Sequence, residues 1–391
     1  MSFRVFTGLE NFDPPPSAKV RAGLVCNQAS VDAGLRRAVD RLASSHGLDL
    51  RVLFGPEHGI YGVEQDMAPV QDTKDAALCL PVRSLYGCET SSLEPPVELL
   101  SECEVLLFDL QDVGSRYYTF VSTLIRCMRV CAKAGVGLIV LDRPNPIGGI
   151  AVEGNGVESG FKSFVGEHDF AVRHGMTIGE LAMMVHAEEN IGCELEVVRM
   201  TGWRRNMLFH ETGLPWIATS PNMPTVRTAM VYPGMCLLEA TNLSEGRGTT
   251  RPFELCGAPF IDPLALCREL NASGLAGVYF RPEYFKPQFH KFFGKVCGGF
   301  QVHVTDPTIF RPYLTGVAVL LTVRKMYADK FRWRTDAYEF VEDKPAIDLL
   351  AGTELVRRWI ERERPLREFR EFFEEGAAGF TKRREPHLLY R

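Results

Sequence analysis

Between residues 20 and 200 the chain alternates short apolar runs with segments whose apolar positions recur at helical spacing. Residues 20–26 predict a strand ending in a polar Asn27-Gln28 turn. Leu35, Ala38, Val39 and Leu42 then share one face of a predicted helix. Residues 51–54 predict a second strand, stopped at Gly55-Pro56. Residues 104–110 predict a third, apolar enough to be buried on both faces. Phe120, Leu124, Cys127, Met128 and Cys131 mark a helix that Gly135 ends. Residues 137–141 predict a fourth strand, stopped by Arg-Pro-Asn-Pro. Thr177 with Glu180 forms a capping box at a helix start, and a strand at 195–198 follows.

Strand and helix alternating at this spacing predict parallel β-α units, hence an open, mostly parallel α/β sheet covered by helices. Such sheets bind ligands beyond the carboxyl ends of their strands. The polar clusters fall at those ends: Asn27-Gln28, Gly-Pro-Glu57-His58-Gly, Asp109-Leu-Gln111-Asp112 and Asp142-Arg143-Pro-Asn145. The pattern changes near residue 200. Residues 201–260 are rich in Gly, Pro, Asn and Thr, and a loop-rich stretch of that length points to function. Helices at 263–271, 314–327, 354–361 and 366–375, with strands near Val278 and at 301–304, predict a smaller α+β domain. The expected division is 1–262 and 263–391.

Composition narrows the function. The 391 residues, 46% of them apolar, suffice for a large core, and 44 Lys and Arg against 49 Asp and Glu give a charge of −5. That excludes a mainly electrostatic nucleic-acid partner. No apolar run is long enough to span a bilayer. The 11 cysteines are scattered without a Cys-x-x-Cys pair, as expected of reduced thiols. The first residues show no signal-peptide pattern, so a cytoplasmic location is expected. A periplasmic or secreted one is the alternative if a signal was removed.

The candidate chemistry lies in the strand-end clusters. A dinucleotide site needs Gly-x-Gly-x-x-Gly after the first strand, and the turn there reads Cys-Asn-Gln-Ala-Ser-Val-Asp-Ala-Gly. Ser159-Gly-Phe-Lys162 has no Lys-Thr-Gly partner, and there is no nucleophile elbow. Asp109, Asp112, Asp142, Glu57 and His58 would have to converge to hold a metal. The alternative for the aspartates is pinning of neighbouring loops. Glu57, between Pro56 and His58 and flanked by Gly55 and Gly59, is the sharpest candidate: a tight turn would aim this carboxyl at the cleft as an acid/base. Glu245, in Ser-Glu-Gly-Arg-Gly, is a natural second carboxylate. Arg116, Arg143, Arg173 and Arg247 suit capture of an anionic substrate, with His174 beside them.

Six segments together resemble the NamZ-type exo-β-N-acetylmuramidases. They are Gly-Leu-Val-Cys-Asn-Gln (23–28), Leu-Phe-Gly-Pro-Glu-His-Gly (53–59), Asp-Leu-Gln-Asp-Val-Gly-Ser-Arg-Tyr-Tyr-Thr (109–119), Leu-Asp-Arg-Pro-Asn-Pro-Ile-Gly-Gly (141–149), Val-Arg-His-Gly-Met-Thr-Ile-Gly-Glu-Leu (172–181) and Thr-Asn-Leu-Ser-Glu-Gly-Arg-Gly-Thr (241–249). The likeness spans residues 20–305 and continues more loosely to His387-Leu-Leu-Tyr390. It implies a Rossmann-like domain, helices on both faces, with a smaller C-terminal domain closing the cleft. It implies cofactor-free release of terminal β-linked N-acetylmuramic acid from a muropeptide or disaccharide fragment.

On that resemblance Glu57 is the acid/base, with His58 orienting it. Glu245 or Asp142 is the nucleophile or base, unless the substrate's own acetamido oxygen attacks and Asp112 orients it. The four arginines would meet the lactyl carboxylate, and Tyr117, Tyr118 and Tyr232 would line the sugar. Asn27, Gln111, Asn145, Asn222 and Asn242 would bind hydroxyls. A metal-dependent hydrolase of a small anionic substrate and a non-catalytic muropeptide-binding protein are the competing readings. The stereochemical outcome and the oligomeric state stay open at this point.

Overall fold

The computed structural model describes residues 4–14 and 19–391. Seven strands form the main sheet: β1 (Val20–Cys26), β2 (Leu48–Gly55), β3 (Thr73–Lys74), β4 (Pro81–Ser84), β5 (Val105–Asp109), β6 (Gly137–Leu141) and β7 (Leu195–Val198). Their spatial order is β3-β4-β2-β1-β5-β6-β7, parallel throughout except for β3 against β4. Chain direction across the sheet reverses at β1, so the β1–β5 crevice is its switch point.

Alternate strand residues build two different cores, which is why helices cover both faces. Leu24 and Cys26 of β1 pack with Ala38, Val39 and Leu42 on one side. Val25, Phe54 and Phe108 pack on the other side with Leu124 and Met128 from the helix Phe120–Ala134 and Leu181 from the helix Ile178–Glu188. Gly135 ends the first of these helices in a left-handed conformation, φ 68°. Thr177 and Glu180 close the capping box of the second. The helix expected from Leu35 starts instead at Ala38. Leu35 is exposed in a left-handed turn with φ 65°, a geometry that breaks the helix before it.

The second sheet has three antiparallel strands, β8 (Leu255–Ala258), β9 (Val278–Phe285) and β10 (Cys297–Val304), in the order β8-β10-β9. Asp262 caps the helix Pro263–Ala272 through the N–H groups of Leu264 and Ala265. The helix Val226–Met235 crosses the helix Pro312–Met326 at Gly234 and Gly316, where a Cβ on either glycine would strike the other helix's backbone. The larger apolar core continues through Phe280, Phe300, Val317 and Leu320, so both sheets share it.

The segments at either end of the chain meet on residues 200–207. Val5, Met200, Trp203, Met207 and Tyr390 form a small separate cluster. Phe6 pairs with Thr201, and the Tyr390 hydroxyl reaches Asp142 Oδ2 at 2.5 Å while accepting from Met200 N at 3.0 Å.

Candidate active site

β2 ends in the turn Pro56–Gly59, closed by a bond from Gly59 N to the Pro56 carbonyl at 2.9 Å. His58 takes φ 71° there, a left-handed value uncommon for a side-chain-bearing residue. This turn places Glu57 in a small cavity of about 30 Å³ beyond the carboxyl ends of β2 and β5. Glu57 Oε2 accepts from the Thr119 hydroxyl at 2.7 Å, just before the helix Phe120–Ala134 begins. Its Oε1 accepts from Met67 N at 3.3 Å. Both contacts are donors, the arrangement that suits an anion.

Aromatic rings form one wall. Tyr118 and Tyr117 each lie 5.8 Å from Tyr232, and Phe253 lies 4.9 Å from it, all edge to face. The Tyr118 hydroxyl pairs with Thr219 Oγ1 at 2.6 Å. The opposite wall is charged. Arg247 bridges Asp66 Oδ1 at 3.1 Å and Glu239 Oε1 at 2.7 Å, and Tyr338 donates to Glu239 Oε2 at 2.6 Å. Burial alone would lower the Arg247 pKa, but Glu239, Asp66 and Glu245 outweigh it and hold the guanidinium charged. Glu339 completes the wall, its Oε2 accepting from the Tyr86 hydroxyl at 2.9 Å.

Of the residues expected from the sequence, Glu57, His58, Tyr117, Tyr118, Asn222, Tyr232 and Arg247 meet in this cavity. His58 Nδ1 faces the Glu64 carbonyl at 2.9 Å, and Asn222 donates to Gln65 Oε1 at 2.7 Å. Glu245 lies behind them, outside the cavity lining, fully buried against Lys291 at 2.9 Å, His290 at 3.3 Å and Arg247 at 3.5 Å. Burial works against its charge, yet Lys291, His290 and Arg247 prevail and hold its carboxyl well below the usual range. Such an acid sets Arg247 in place and is shut off from the cavity by its burial.

The remaining candidates stand elsewhere, committed to protein partners. Asp142 accepts from Arg143 N, Gly179 N, the Thr177 hydroxyl and the Tyr390 hydroxyl. Burial pushes its carboxyl up to about 7, although the bonds from Tyr390, Gly179 and Thr177 oppose that rise. Arg143 grips Asp109 through two bonds, at 2.5 and 2.8 Å. Arg116 is fully buried and donates to the carbonyls of Asn155, Phe170 and Leu350, and Arg173 donates to that of Ile147. None of these three guanidinium groups lines the cavity that holds Glu57.

Asp112 caps its own turn at Gly114 N and lies 3.4 Å from His174 Nε2. Asn27, Gln111, Asn145 and Asn242 each tie loop backbone, through Thr219 O, Pro144 O, Met176 O and Lys330 O respectively. The five residues that a metal would need are thus engaged separately. Among the described residues no group of three or more His, Cys, Asp or Glu side chains is poised around one point.

The sequence reading passed over Asp66, Glu239, Tyr338 and Glu339. Glu239 stands two residues before the Thr241-Asn-Leu-Ser segment, in an apolar Leu-Leu-Glu-Ala run with no local motif of its own. Glu339 lies in an unremarked Tyr-Glu-Phe stretch about a hundred residues further on.

Family models described as exo-β-N-acetylmuramidase NamZ, N-terminal, and exo-β-N-acetylmuramidase NamZ, C-terminal, match residues 22–227 and 230–390. The chain belongs to the NamZ family. It is 40% identical over 390 residues to the peptidoglycan β-N-acetylmuramidase NamZ of Bacillus subtilis (strain 168), covering 99% of this chain and 92% of that protein. Two crystal structures of DUF1343 family proteins from Bacteroides fragilis NCTC 9343 share the fold. One has a TM-score of 0.88 at 33% identity and covers 100% of both chains. The other has a TM-score of 0.76 at 28% identity and covers 99% of each. In this NamZ-family chain the cavity draws on both matched segments, Glu57 and Thr119 from the first and Glu239, Arg247 and Glu339 from the second.

Proposed function

We propose that this chain is an exo-β-N-acetylmuramidase, a glycosidase that hydrolyses the bond holding a terminal β-linked N-acetylmuramic acid on a peptidoglycan fragment. The observation that carries the reading is Glu57, a buried carboxyl with two fixed donors in a cavity walled by rings and charges, in a chain that matches the family along nearly its whole length. Hydrolysis of a glycosidic bond needs carboxyl groups placed around C1, and Glu57 is one of them. The aromatic wall of Tyr118, Tyr232 and Phe253 offers the apolar face of a sugar ring its partner. Arg247 supplies the positive charge of the cavity lining. The 11 free cysteines, all but Cys79 and Cys88 buried, fit action on imported fragments in a reducing cytosol.

The test is turnover of a chromogenic β-N-acetylmuramic acid glycoside, beside the N-acetylglucosamine analogue, with and without EDTA. Selective turnover that EDTA leaves intact is expected. A folded protein that cleaves neither sugar, or the N-acetylglucosamine analogue alone, would overturn the assignment.

A further inference from the structure

Four carboxyl groups line the cavity, and three of them have a cation or two donors as partners. Asp66 and Glu239 share Arg247, and Glu239 also accepts from Tyr338. Glu57 accepts from the Thr119 hydroxyl and Met67 N. Glu339 differs. It is 6% exposed, no cation among the described residues pairs with it, and the Tyr86 hydroxyl bonds its Oε2. A fourth negative charge here would face Glu57, Glu239 and Asp66 with one guanidinium already shared. Burial first, and then repulsion from Glu57, hold the Glu339 carboxyl well above the usual range despite the bond from Tyr86.

Two further observations show that this carboxyl is deliberately placed. Glu339 and Phe340 both take left-handed backbone, φ 46° and 66°, which costs about 1–3 kcal/mol per residue outside glycine and persists where the surroundings impose it. The Phe340 ring in turn packs edge-on against Tyr86 at 5.5 Å, with Phe164 on the same ring at 5.9 Å. These rings hold the Tyr86 hydroxyl against Oε2. With Tyr86 donating there, the proton of a neutral Glu339 sits on Oε1.

We propose that Glu339 is a second catalytic residue of this site, the general acid that protonates the glycosidic oxygen, with Glu57 as its partner base. The inference rests on the muramidase reading. As the C1–O bond breaks, its electron pair stays on the leaving oxygen, which takes the Glu339 proton. A water oxygen bonds to C1 and its proton passes to Glu57. One water is consumed, and solvent exchange returns a proton from Glu57 to Glu339. A neutral acid beside an ionised carboxylate is the division of labour such a reaction requires.

The experiment compares wild type, Glu339→Gln and Glu57→Gln on two β-N-acetylmuramic acid glycosides. One carries an activated dinitrophenyl leaving group and the other the unactivated N-acetylglucosamine of a disaccharide. Glutamine keeps the oxygen that Tyr86 bonds, and circular dichroism confirms the fold. E339Q should slow the disaccharide by about 10²–10⁴-fold and the dinitrophenyl glycoside by less than about tenfold, whereas E57Q slows both. Asp142 also keeps a proton near neutral pH, so the infrared readout is the difference spectrum of wild type minus E339Q, which needs no substrate and should carry a positive carboxylic-acid band. Equal loss on both glycosides, or a difference spectrum without that band, overturns the role of Glu339. An inactive wild type whose difference spectrum carries the band would instead overturn the muramidase reading and the glycosidic step with it.

Discussion

Asp142 and Glu57 are both acids just past the end of a parallel strand, both buried, and both singled out by sequence. They end in opposite situations. Asp142 receives four donors, two backbone and two hydroxyl, and faces no cavity. Glu57 receives two and opens onto space lined by rings and charges. A strand-end carboxyl becomes available for chemistry when the fold leaves part of it unanswered. It becomes a rivet when every lone pair is taken.

The sharpest way to break this contrast is to remove each charge in turn. Glu57→Gln should lower kcat on a β-muramic acid glycoside by about 10²–10⁴-fold with an unchanged unfolding midpoint. A loss of stability with activity retained would reverse the assignment. Asp142→Asn should do the converse. It should cost about 1–3 kcal/mol in urea unfolding, since Tyr390, Thr177 and two N–H groups lose a carboxylate acceptor, while kcat per folded molecule holds.

The smallest effect is a pH slope. Folding raises the Asp142 carboxyl from 3.8 to about 7, so the folded state keeps a proton that the unfolded chain has released. Stability from this group is therefore greatest below about pH 4 and is lost as pH rises through about 7. The urea midpoint of wild type minus that of D142N should decline between pH 5 and pH 7.5, and a flat difference would show that Asp142 is ionised throughout.

Local rules made much of the fold legible. The capping box at Thr177 and the glycine stop at Gly135 are written in neighbouring residues, and the β1, β5, β6 and β7 strands in uninterrupted apolar runs. The helix Val226–Met235 escaped notice because Pro233 and Gly234 read as breakers. Gly234 is there for close passage past Gly316, a requirement set some 80 residues away. The site divides the same way. Glu57 was visible because its turn is local, with Pro and Gly on either side. Arg116 was misleading because a guanidinium reaching Leu350 O is not encoded near residue 116. Glu339 had no local sign at all: its left-handed backbone is imposed by partners such as Tyr86, more than 250 residues earlier.

The clasp at residues 200–207 has a consequence for how the molecule is made. Val5 precedes β1 and Tyr390 is translated long after β7, yet both sit in one apolar cluster with Trp203, and Tyr390 supplies a bond to Asp142 at the end of β6. A nascent chain can assemble β1 through β7 early, but the acid at the end of β6 must wait for a hydroxyl that is translated almost 250 residues later. During synthesis the first sheet is therefore held with one buried carboxyl short of a partner, and arrival of the tail is the event that locks it.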